Sequence, residues 1–363
     1  MYSFEPTEEQ KIIISAARKL ALKEFRDRMR DADETGRHHP SWVEAGWELG
    51  LLPASIPERY GGFGDHSAMT WVLAAEELAW GDMTAALVLT APNLVALPIL
   101  YCGTEEQKTE FLPVYCTDRY AHGSAALMEP HFGFNPYELK TTAHRNNGSY
   151  VLTGLKCNVP FAAESEWLLV YASLDGQSQA FLVSKDSPGL SIGEREPNMG
   201  INALPLYSVE LKECSIPATQ RLGGDAGCDF ALLHNSSRVA LSALAVGVAR
   251  AAYEYALEYA KQRKAFGEAI AQRQSIAFTL AEMAIEIDAA RMLVWEAAWR
   301  LDQGRDATKE AQYAMNFTGD MALMVADRAV QILGGYGYVR DHPVELWLRN
   351  ARGCGVLEGI AIV

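Results

Sequence analysis

The stretch Gln262-Arg263-Lys264-Ala265-Phe266-Gly267 separates two long apolar-periodic runs in this 363-residue chain. One run extends from Ala231 to Lys264, the next from Ser275 to Asp302, and a third from Ala307 to Leu333. Their apolar residues recur at helical spacing, so each run predicts a helix roughly 40 Å long, at about 1.5 Å per residue. Three long helices joined by short links predict a helical bundle in this part of the chain.

Upstream of the bundle, the sequence pattern changes to that of β-strands. Short β-rich runs, such as Tyr150–Gly154 and Trp167–Tyr171, are separated by turn signals such as Asn146-Asn147-Gly148. About 100 residues of this kind predict a small β-barrel or sandwich.

The first 120 residues predict helices again. Thr7-Glu8-Glu9-Gln10 and Thr104-Glu105-Glu106-Gln107 both have the capping-box pattern that begins a helix. The stretch Leu51–Pro57 contains two prolines and is predicted to be non-helical. Much of Thr84–Leu100 is predicted to be helical. The order of elements is therefore α, then β, then α.

This order predicts an α+β protein of three domains. We expect an N-terminal helical domain over residues 1–120, a central β-barrel or sandwich domain over 121–222, and a C-terminal four-helix-bundle domain over 223–363.

Composition excludes several classes of function. The net charge of −14 argues against nucleic acid as a partner. No segment approaches twenty uninterrupted apolar residues, so no membrane span is predicted, and the start Met1–Pro6 does not have the pattern of a signal peptide. The six cysteines form no C-x-x-C pair and have no histidine at metal-ligand spacing, so reduced thiols and no metal site are predicted. We expect a bacterial cytoplasmic protein, or a mitochondrial matrix protein if a leader has been removed.

Glu358 is the candidate catalytic residue. It lies among apolar residues and glycines near the end of the chain, and a carboxylate held in dry surroundings acquires a raised pKa and becomes a better base near neutral pH. The alternative is a solvated glutamate near a frayed terminus.

Two glycine-containing segments have a functional and a structural interpretation each. Arg263, beside Gly267, can hold a phosphate by bidentate contacts, or it can complement a helix dipole with Gly267 as the C-cap. The pair Gly334-Gly335 can admit a ligand close to the backbone, or it can simply end the third helix.

Together these segments resemble the acyl-CoA dehydrogenase family over nearly the whole chain. Pro57-Glu58-Arg59-Tyr60-Gly61-Gly62 is similar to an early family signature, P-E-x-x-G-G. Gln262–Gly267, followed by Gln274 and Leu280–Ala284, is similar to Q-R-x-x-F-G…Q…L-A-x-M-A. Gln331–Gly335 resembles Q-[IV]-x-G-G, and Leu357-Glu358-Gly359 falls at the family's Y-E-G-T.

The resemblance implies an FAD enzyme that desaturates an acyl-CoA thioester. Glu358 would remove the α-proton, and the β-hydrogen would leave as hydride to flavin N5. The forming enolate would be stabilised by the flavin ribityl hydroxyl and by the backbone N–H of Glu358. Some relatives place the base before the arginine that matches Arg238. Here that position is Ser237, so Glu358 is the candidate of the right type.

The resemblance also assigns binding residues. Arg263 would hold the FAD pyrophosphate across a subunit boundary, in a homotetramer or homodimer, and an electron-transferring flavoprotein would be the electron acceptor. The residues implied in FAD binding are Leu127, Met128, Asn158, Val159, Pro160, Arg263, Phe266, Gln274, Gln331, Gly334 and Gly335. Those implied in substrate binding are Phe134, Asn235, Arg238 and Gly359.

The departures from the family pattern cluster around the expected flavin ring. Met128 and Pro160 replace two hydroxyl residues, Asn158 stands at an aromatic position, and Ile360 follows Glu358-Gly359 in place of Thr or Ser. Each lost hydrogen bond is expected to cost about 1 kcal/mol. Most relatives continue into a final helix beyond the position of Val363, and we expect its absence here to affect tetramer packing or the FAD site. Two hypotheses follow: an acyl-CoA dehydrogenase with altered flavin contacts, or a relative that performs a non-dehydrogenating reaction or serves as a binding or scaffold protein.

Overall fold

The computed structural model describes residues 5–363 and has three regions in chain order. Met1–Phe4, part of the segment in which no signal peptide was predicted, lie outside the described residues. The N-terminal region contains seven α-helices among the described residues. They are α1 Glu8–Leu20, α2 Met29–Thr35, α3 Pro40–Trp47, α4 Ala68–Gly81, α5 Met83–Thr90, α6 Asn93–Cys102 and α7 Glu105–Phe111.

The central region contains a single mixed sheet of seven strands. Its order is β1-β4-β2-β3-β7-β6, with β5 paired to β4. The two twelve-residue strands β3 and β7 pair antiparallel and carry register shifts on both sides of Lys156. The strands are β1 Ser124–Ala126, β2 Thr142–Asn146, β3 Ser149–Pro160, β4 Trp167–Leu174, β5 Gln177–Ser184, β6 Leu190–Arg195 and β7 Leu206–Pro217.

The C-terminal region is built on three long helices and one shorter one. They are α8 Phe230–Gln262, α9 Gln274–Asp302, α10 Thr308–Leu333 and, after the single turn α11 Gly335–Tyr338, α12 Val344–Cys354. A two-stranded ribbon, β8 Lys264–Ala265 and β9 Glu268–Ala269, links α8 to α9. Helix α8 also packs on α4, so the bundle and the N-terminal helices share one apolar core.

The local sequence signals agree closely with these elements. Both capping boxes are confirmed: Thr7 and Thr104 each accept the backbone N–H of the glutamine three residues later, and that glutamine binds back to the cap. The segment predicted as non-helical at Leu51–Pro57 does contain one 3₁₀ turn, Pro53–Ser55, because proline is allowed at the first helical position. The helix expected over Thr84–Leu100 is divided near Pro92 into α5 and α6.

The six cysteines are free thiols, half-buried or buried. Among the described residues, no single helix is long and apolar enough to cross a membrane, although α5 and α6, bent by 50°, would pass that test together. Both of these helices are buried in the core.

Candidate active site

Glu358 lies in the segment that follows α12. The chain turns at Gly359, whose φ of +72° favours glycine, and a Cβ there would come within 2.8 Å of the Leu127 side chain. The next residues, Ile360–Val363, are buried, and Val363 accepts a hydrogen bond from Tyr101 on α6. Glu358 is therefore fixed within the fold, and the frayed-terminus alternative is excluded.

Two side chains of α8 reach the carboxylate of Glu358. Nε2 of His234 lies 2.9 Å from Oε2, and the Arg238 guanidinium lies 3.9 Å from Oε1. The His234 side chain is 1% exposed, whereas that of Glu358 is 26% exposed. One face of the carboxylate is therefore held by protein, and the other remains accessible to a substrate.

The pKa of Glu358 differs from the sequence-based expectation. Burial alone would raise it, as predicted, but the hydrogen bond from His234 and the charge of Arg238 lower the pKa below its ordinary value. The expectation of a raised pKa is therefore wrong for this structure, because the hydrogen bond from His234 and the charge of Arg238 outweigh the effect of burial.

The backbone N–H of Glu358 has a partner within the chain. It points to Sδ of Met128 at 3.3 Å. A thioether sulfur is a weak acceptor. The N–H group that was predicted to stabilise an enolate is therefore engaged by Met128, and a ligand oxygen could reach it only if Met128 moved aside.

A buried ion pair holds the segment that carries Met128. Lys156, fully buried in β3, donates to a Glu129 carboxylate oxygen at 2.9 Å and to the Leu127 carbonyl at 3.0 Å. Glu129 also accepts the backbone N–H groups of Lys140 and Thr141, both at 2.8 Å. These contacts fix the backbone of residues 127–129 against β3, directly beside Glu358.

The residues predicted to contact the flavin ring are mostly enclosed. Leu127, Val159 and Pro160 are buried, and Met128 and Asn158 are half-buried. Asn158 has a φ of +51°, and its buried Oδ1 has no hydrogen-bond partner in the described part of the chain. That unpartnered oxygen is an acceptor available to a ligand.

The residues predicted to contact the rest of the FAD are exposed. Arg263, with Tyr336 and the glycine pair, lines an open cavity of about 590 Å³. A Cβ at Gly334 or Gly335 would meet nothing within 4 Å, so packing requires neither glycine, but the φ of +61° at Gly334, which ends α10, favours glycine there. The exposed predicted residues are Arg263, Phe266, Gln274, Gln331, Gly334 and Gly335.

The substrate-binding predictions lie at different distances from Glu358. Gly359 adjoins it in the chain, and Arg238 faces it. Phe134 is half-buried in the loop between β1 and β2. Asn235 lies one residue from His234, but its amide donates to Thr308 of α10. These roles stay predictions.

His234 was missed by the sequence analysis. It lies one helical turn before Arg238, so the i, i+4 spacing along α8 places both on one face. That spacing is the signal that could have found it, once Arg238 was a candidate.

Family models match three successive parts of the chain. The matches are the acyl-CoA dehydrogenase N-terminal domain over residues 7–119, the middle domain over 124–214, and the C-terminal domain over 232–361. The chain belongs to the acyl-CoA dehydrogenase family. The domain boundaries given from the sequence stay a prediction.

Relatives of this acyl-CoA dehydrogenase family member extend over almost its full length. A probable acyl-CoA dehydrogenase, YngJ of Bacillus subtilis, is 36% identical over 98% of this chain and 96% of its own. The structure of butyryl-CoA dehydrogenase from Megasphaera elsdenii is 32% identical, with a TM-score of 0.90 over 99% of this chain and 96% of that one. A structure of PigA with FAD and proline is 25% identical, with a TM-score of 0.89 over 99% and 96%. The similarity therefore covers all three regions, and the chain is an oxidoreductase of the family's three-domain fold.

The side chains present are compatible with FAD, which the family implies. Arg263 forms no ion pair within residues 5–363; it is exposed and borders the glycine-lined cavity, where its guanidinium can make bidentate contacts to a phosphate. At the other end, Asn158 offers an unsatisfied buried acceptor. The residues predicted to bind the adenosine and pyrophosphate are open at the surface, and those predicted to surround the ring are the ones that differ most from the family pattern.

Proposed function

We propose that this protein is an FAD-dependent acyl-CoA dehydrogenase in which Glu358 removes the α-proton of an acyl-CoA thioester. The observation that carries the proposal is the half-exposed Glu358 carboxylate, held by His234 on one side and open on the other. When bound, FAD supplies the acceptor for the hydride that leaves the β-carbon.

The proposed roles of the chain's residues follow from their positions. The α-C–H bond breaks and a new O–H bond forms on Glu358, while the electron pair remains on the substrate and becomes the double bond. The backbone N–H of Glu358 stabilises the developing negative charge on the thioester oxygen, once Met128 has moved from it. Arg238 stabilises the carboxylate before the transfer.

The enclosed space next to His234 and Gly359 is too small for an acyl chain as the side chains are packed here. The apolar cavity bordered by His234, Gly359 and Ile362 has a volume of about 10 Å³, roughly what one water requires. The side chains that fill the rest of this region, including Phe230 and Leu94, are buried. Any acyl chain placed here would require these residues to move, and we propose a short or compact acyl-CoA because it would require the least movement.

The remaining parts of the proposal concern assembly and location. The exposure of the predicted FAD-binding residues supports a homotetramer or homodimer in which a second copy covers the FAD. These residues are Arg263, Phe266, Gln274, Gln331, Gly334 and Gly335. An electron-transferring flavoprotein is the proposed acceptor, and the bacterial cytoplasm is the proposed location, since the relatives compared include bacterial proteins.

An absorption spectrum and an anaerobic titration test this function. The purified protein is expected to show flavin absorption in the visible, and that absorption should bleach on addition of a short saturated acyl-CoA. Flavin that stays oxidised with every acyl-CoA, from short to long and from straight to branched, would contradict the proposal.

The second candidate is a family member that does not dehydrogenate. It is favoured by the Met128 sulfur lying against the Glu358 N–H and by Pro160, which removes both a hydroxyl and a backbone donor from the ring end. Colourless protein that takes up no added FAD would decide for this candidate.

A further inference from the structure

His234 is a buried titratable side chain in direct contact with the proposed base. It lies in the first half of α8 and is 2% exposed. Its ring is stacked on Phe230 at an interplanar angle of 12° and meets the Tyr137 ring edge-on at 5.4 Å. These two rings fix the plane of the imidazole, and Nε2 then points at Glu358.

The direction of the hydrogen bond follows from the groups involved. An ionised carboxylate only accepts, so Nε2 must carry the proton that it donates to Oε2 of Glu358 at 2.9 Å. The other nitrogen, Nδ1, lies 3.4 Å from the Tyr137 hydroxyl. When the imidazole is neutral, that hydroxyl donates to Nδ1, which keeps the proton on Nε2.

We propose that His234 is a positioning residue that orients the Glu358 carboxylate and holds it in the ionised form needed for proton abstraction. This inference rests on the proposed function. The alternative is a core histidine whose contact with Glu358 has no effect on the reaction.

Charged and titratable groups around the pair come from several elements. Helix α8 contributes His234 and Arg238, and the loop between β1 and β2 contributes Tyr137. Asp229 lies at the start of α8 and Asp306 lies just before α10; burial and the charges of both raise the pKa of the Tyr137 hydroxyl. Of these groups, His234 makes the shortest contact to Glu358, and Arg238 stands 3.9 Å away.

The sign of the expected effect follows from this arrangement. Burial raises the pKa of Glu358, and the contacts of His234 and Arg238 reverse that shift to below the ordinary value. Loss of the His234 hydrogen bond therefore raises the pKa of Glu358. The carboxylate would then be protonated, and inactive as a base, at a higher pH.

The experiment compares His234→Leu with His234→Gln in the FAD-loaded protein. The Leu variant removes the donor, and the Gln variant keeps an uncharged N–H donor. The acid limb of the kcat/KM profile is expected to move about one pH unit higher in His234→Leu, since one hydrogen bond to a carboxylate produces a shift of that order. The Gln variant should recover at least half of the shift.

An infrared titration of the carboxylate band gives a readout that needs no turnover. Subtraction of the Glu358→Gln spectrum isolates Glu358, and its titration midpoint should move upward in His234→Leu. An unmoved midpoint and acid limb would overturn the inference, even if the variant lost rate. Absence of turnover with every acyl-CoA, together with a shifted infrared midpoint, would support the inference about His234 while contradicting the proposed function.

Tyr137→Phe provides a second variant if His234→Leu does not fold. Tyr137 is 43% exposed, so its hydroxyl can be removed with little effect on the core. The titration midpoint of Glu358 is expected to move upward, but by less than in His234→Leu, because the proton on Nε2 of His234 is less strongly fixed. In that case, an unchanged infrared midpoint and an unchanged acid limb in Tyr137→Phe would overturn the inference.

Discussion

The two ends of the proposed FAD site differ in how far the chain itself encloses them. At the ring end, Leu127, Val159 and Pro160 are buried, and Met128 already contacts Glu358. At the nucleotide end, Arg263 is exposed beside an open cavity, and Phe266 is 97% exposed. The proposed ring end is therefore enclosed by residues of the chain itself, whereas the proposed nucleotide end is open at the surface of the single chain.

This difference indicates what substitutions at each end should change. A substitution at the enclosed end changes contacts that the fold itself makes, so it alters stability and chemistry together. A substitution at the open end changes a surface that contributes little to the stability of the isolated chain. The segment Met128-Glu129 lies between Glu358, the proposed base, and the buried Lys156, so it belongs to the first kind.

The largest expected effect is at Glu358. Glu358→Gln keeps the shape of the side chain but cannot accept the α-proton, so flavin reduction by an acyl-CoA should fall by several orders of magnitude. Stopped-flow absorbance measures this rate. The exposed Glu258→Gln serves as the control and should keep the parent rate. A Glu358→Gln protein with a near-normal rate would remove Glu358 from the mechanism.

Glu129 tests whether the enclosed end is held by its ion pair. Glu129→Gln leaves the Lys156 ammonium buried without its carboxylate, and the free energy of unfolding should fall by about 3–5 kcal/mol. Urea unfolding measures the change. Glu138→Gln, at an exposed position in the same loop, is the control, and the double variant Glu129→Gln/Lys156→Met should recover part of the loss. Equal stability of Glu129→Gln and the control would contradict this account.

The same pair gives a pH dependence with a definite sign. Burial would raise the pKa of Glu129, but Lys156 and the hydrogen bonds to residues 140 and 141 bring the pKa down to about 2. The stabilisation is present above the ordinary pKa of 4.5 and is lost as the pH falls toward about 2. Acid unfolding followed by tryptophan fluorescence should therefore show a smaller loss of stability over this range in Glu129→Gln than in the parent protein.

Arg263 tests the open end. Arg263→Ala removes the proposed pyrophosphate contact, and FAD affinity should fall by about 10- to 100-fold, the range expected for charge-assisted hydrogen bonds. Isothermal titration of the apoprotein with FAD measures it. Lys261→Ala, which removes an exposed cation in the last turn of α8, two residues before Arg263, is the control. The melting temperature without FAD should stay unchanged, since Arg263 makes no ion pair within residues 5–363. A large loss of apoprotein stability would mean that this end is not the independent surface described here.

The smallest expected effect is at Met128. Met128→Thr removes the sulfur from the Glu358 N–H and restores a hydroxyl at the ring end. One recovered hydrogen bond, at about 1 kcal/mol, predicts a roughly 5-fold faster flavin reduction. Anaerobic stopped-flow measures it, with Met128→Leu as the control that removes the sulfur without adding a hydroxyl. A slower Met128→Thr enzyme would mean that the sulfur contact assists the reaction.

The helices and the family were readable from the sequence because their signals are local. The capping boxes at Thr7 and Thr104 and the apolar periodicity of α8, α9 and α10 require only neighbouring residues. Helix α12 was not identified, although a four-helix bundle was predicted. It is short, and its apolar residues are explained only by their packing against α8 and α10, which the sequence does not show.

The candidate site was predictable in its residue types but not in its contacts. The sequence singled out Glu358 as an acid among apolar residues, and this is where the fold holds it. It could not show that His234, 124 positions earlier, would donate a hydrogen bond to that acid. Nor could it show that His234 and Arg238 together would lower the pKa of Glu358, which was expected to be raised.

The sequence by itself therefore determined the order of helices and strands, the family, and the identity of the proposed base, since each depends on spacing along the chain. Only the tertiary structure decided the direction of the pKa shift of Glu358, the contact of its N–H with Met128, and the contrast between an enclosed and an open end. These properties depend on distances of a few ångströms between residues far apart in sequence, and such distances exist only after the core has packed.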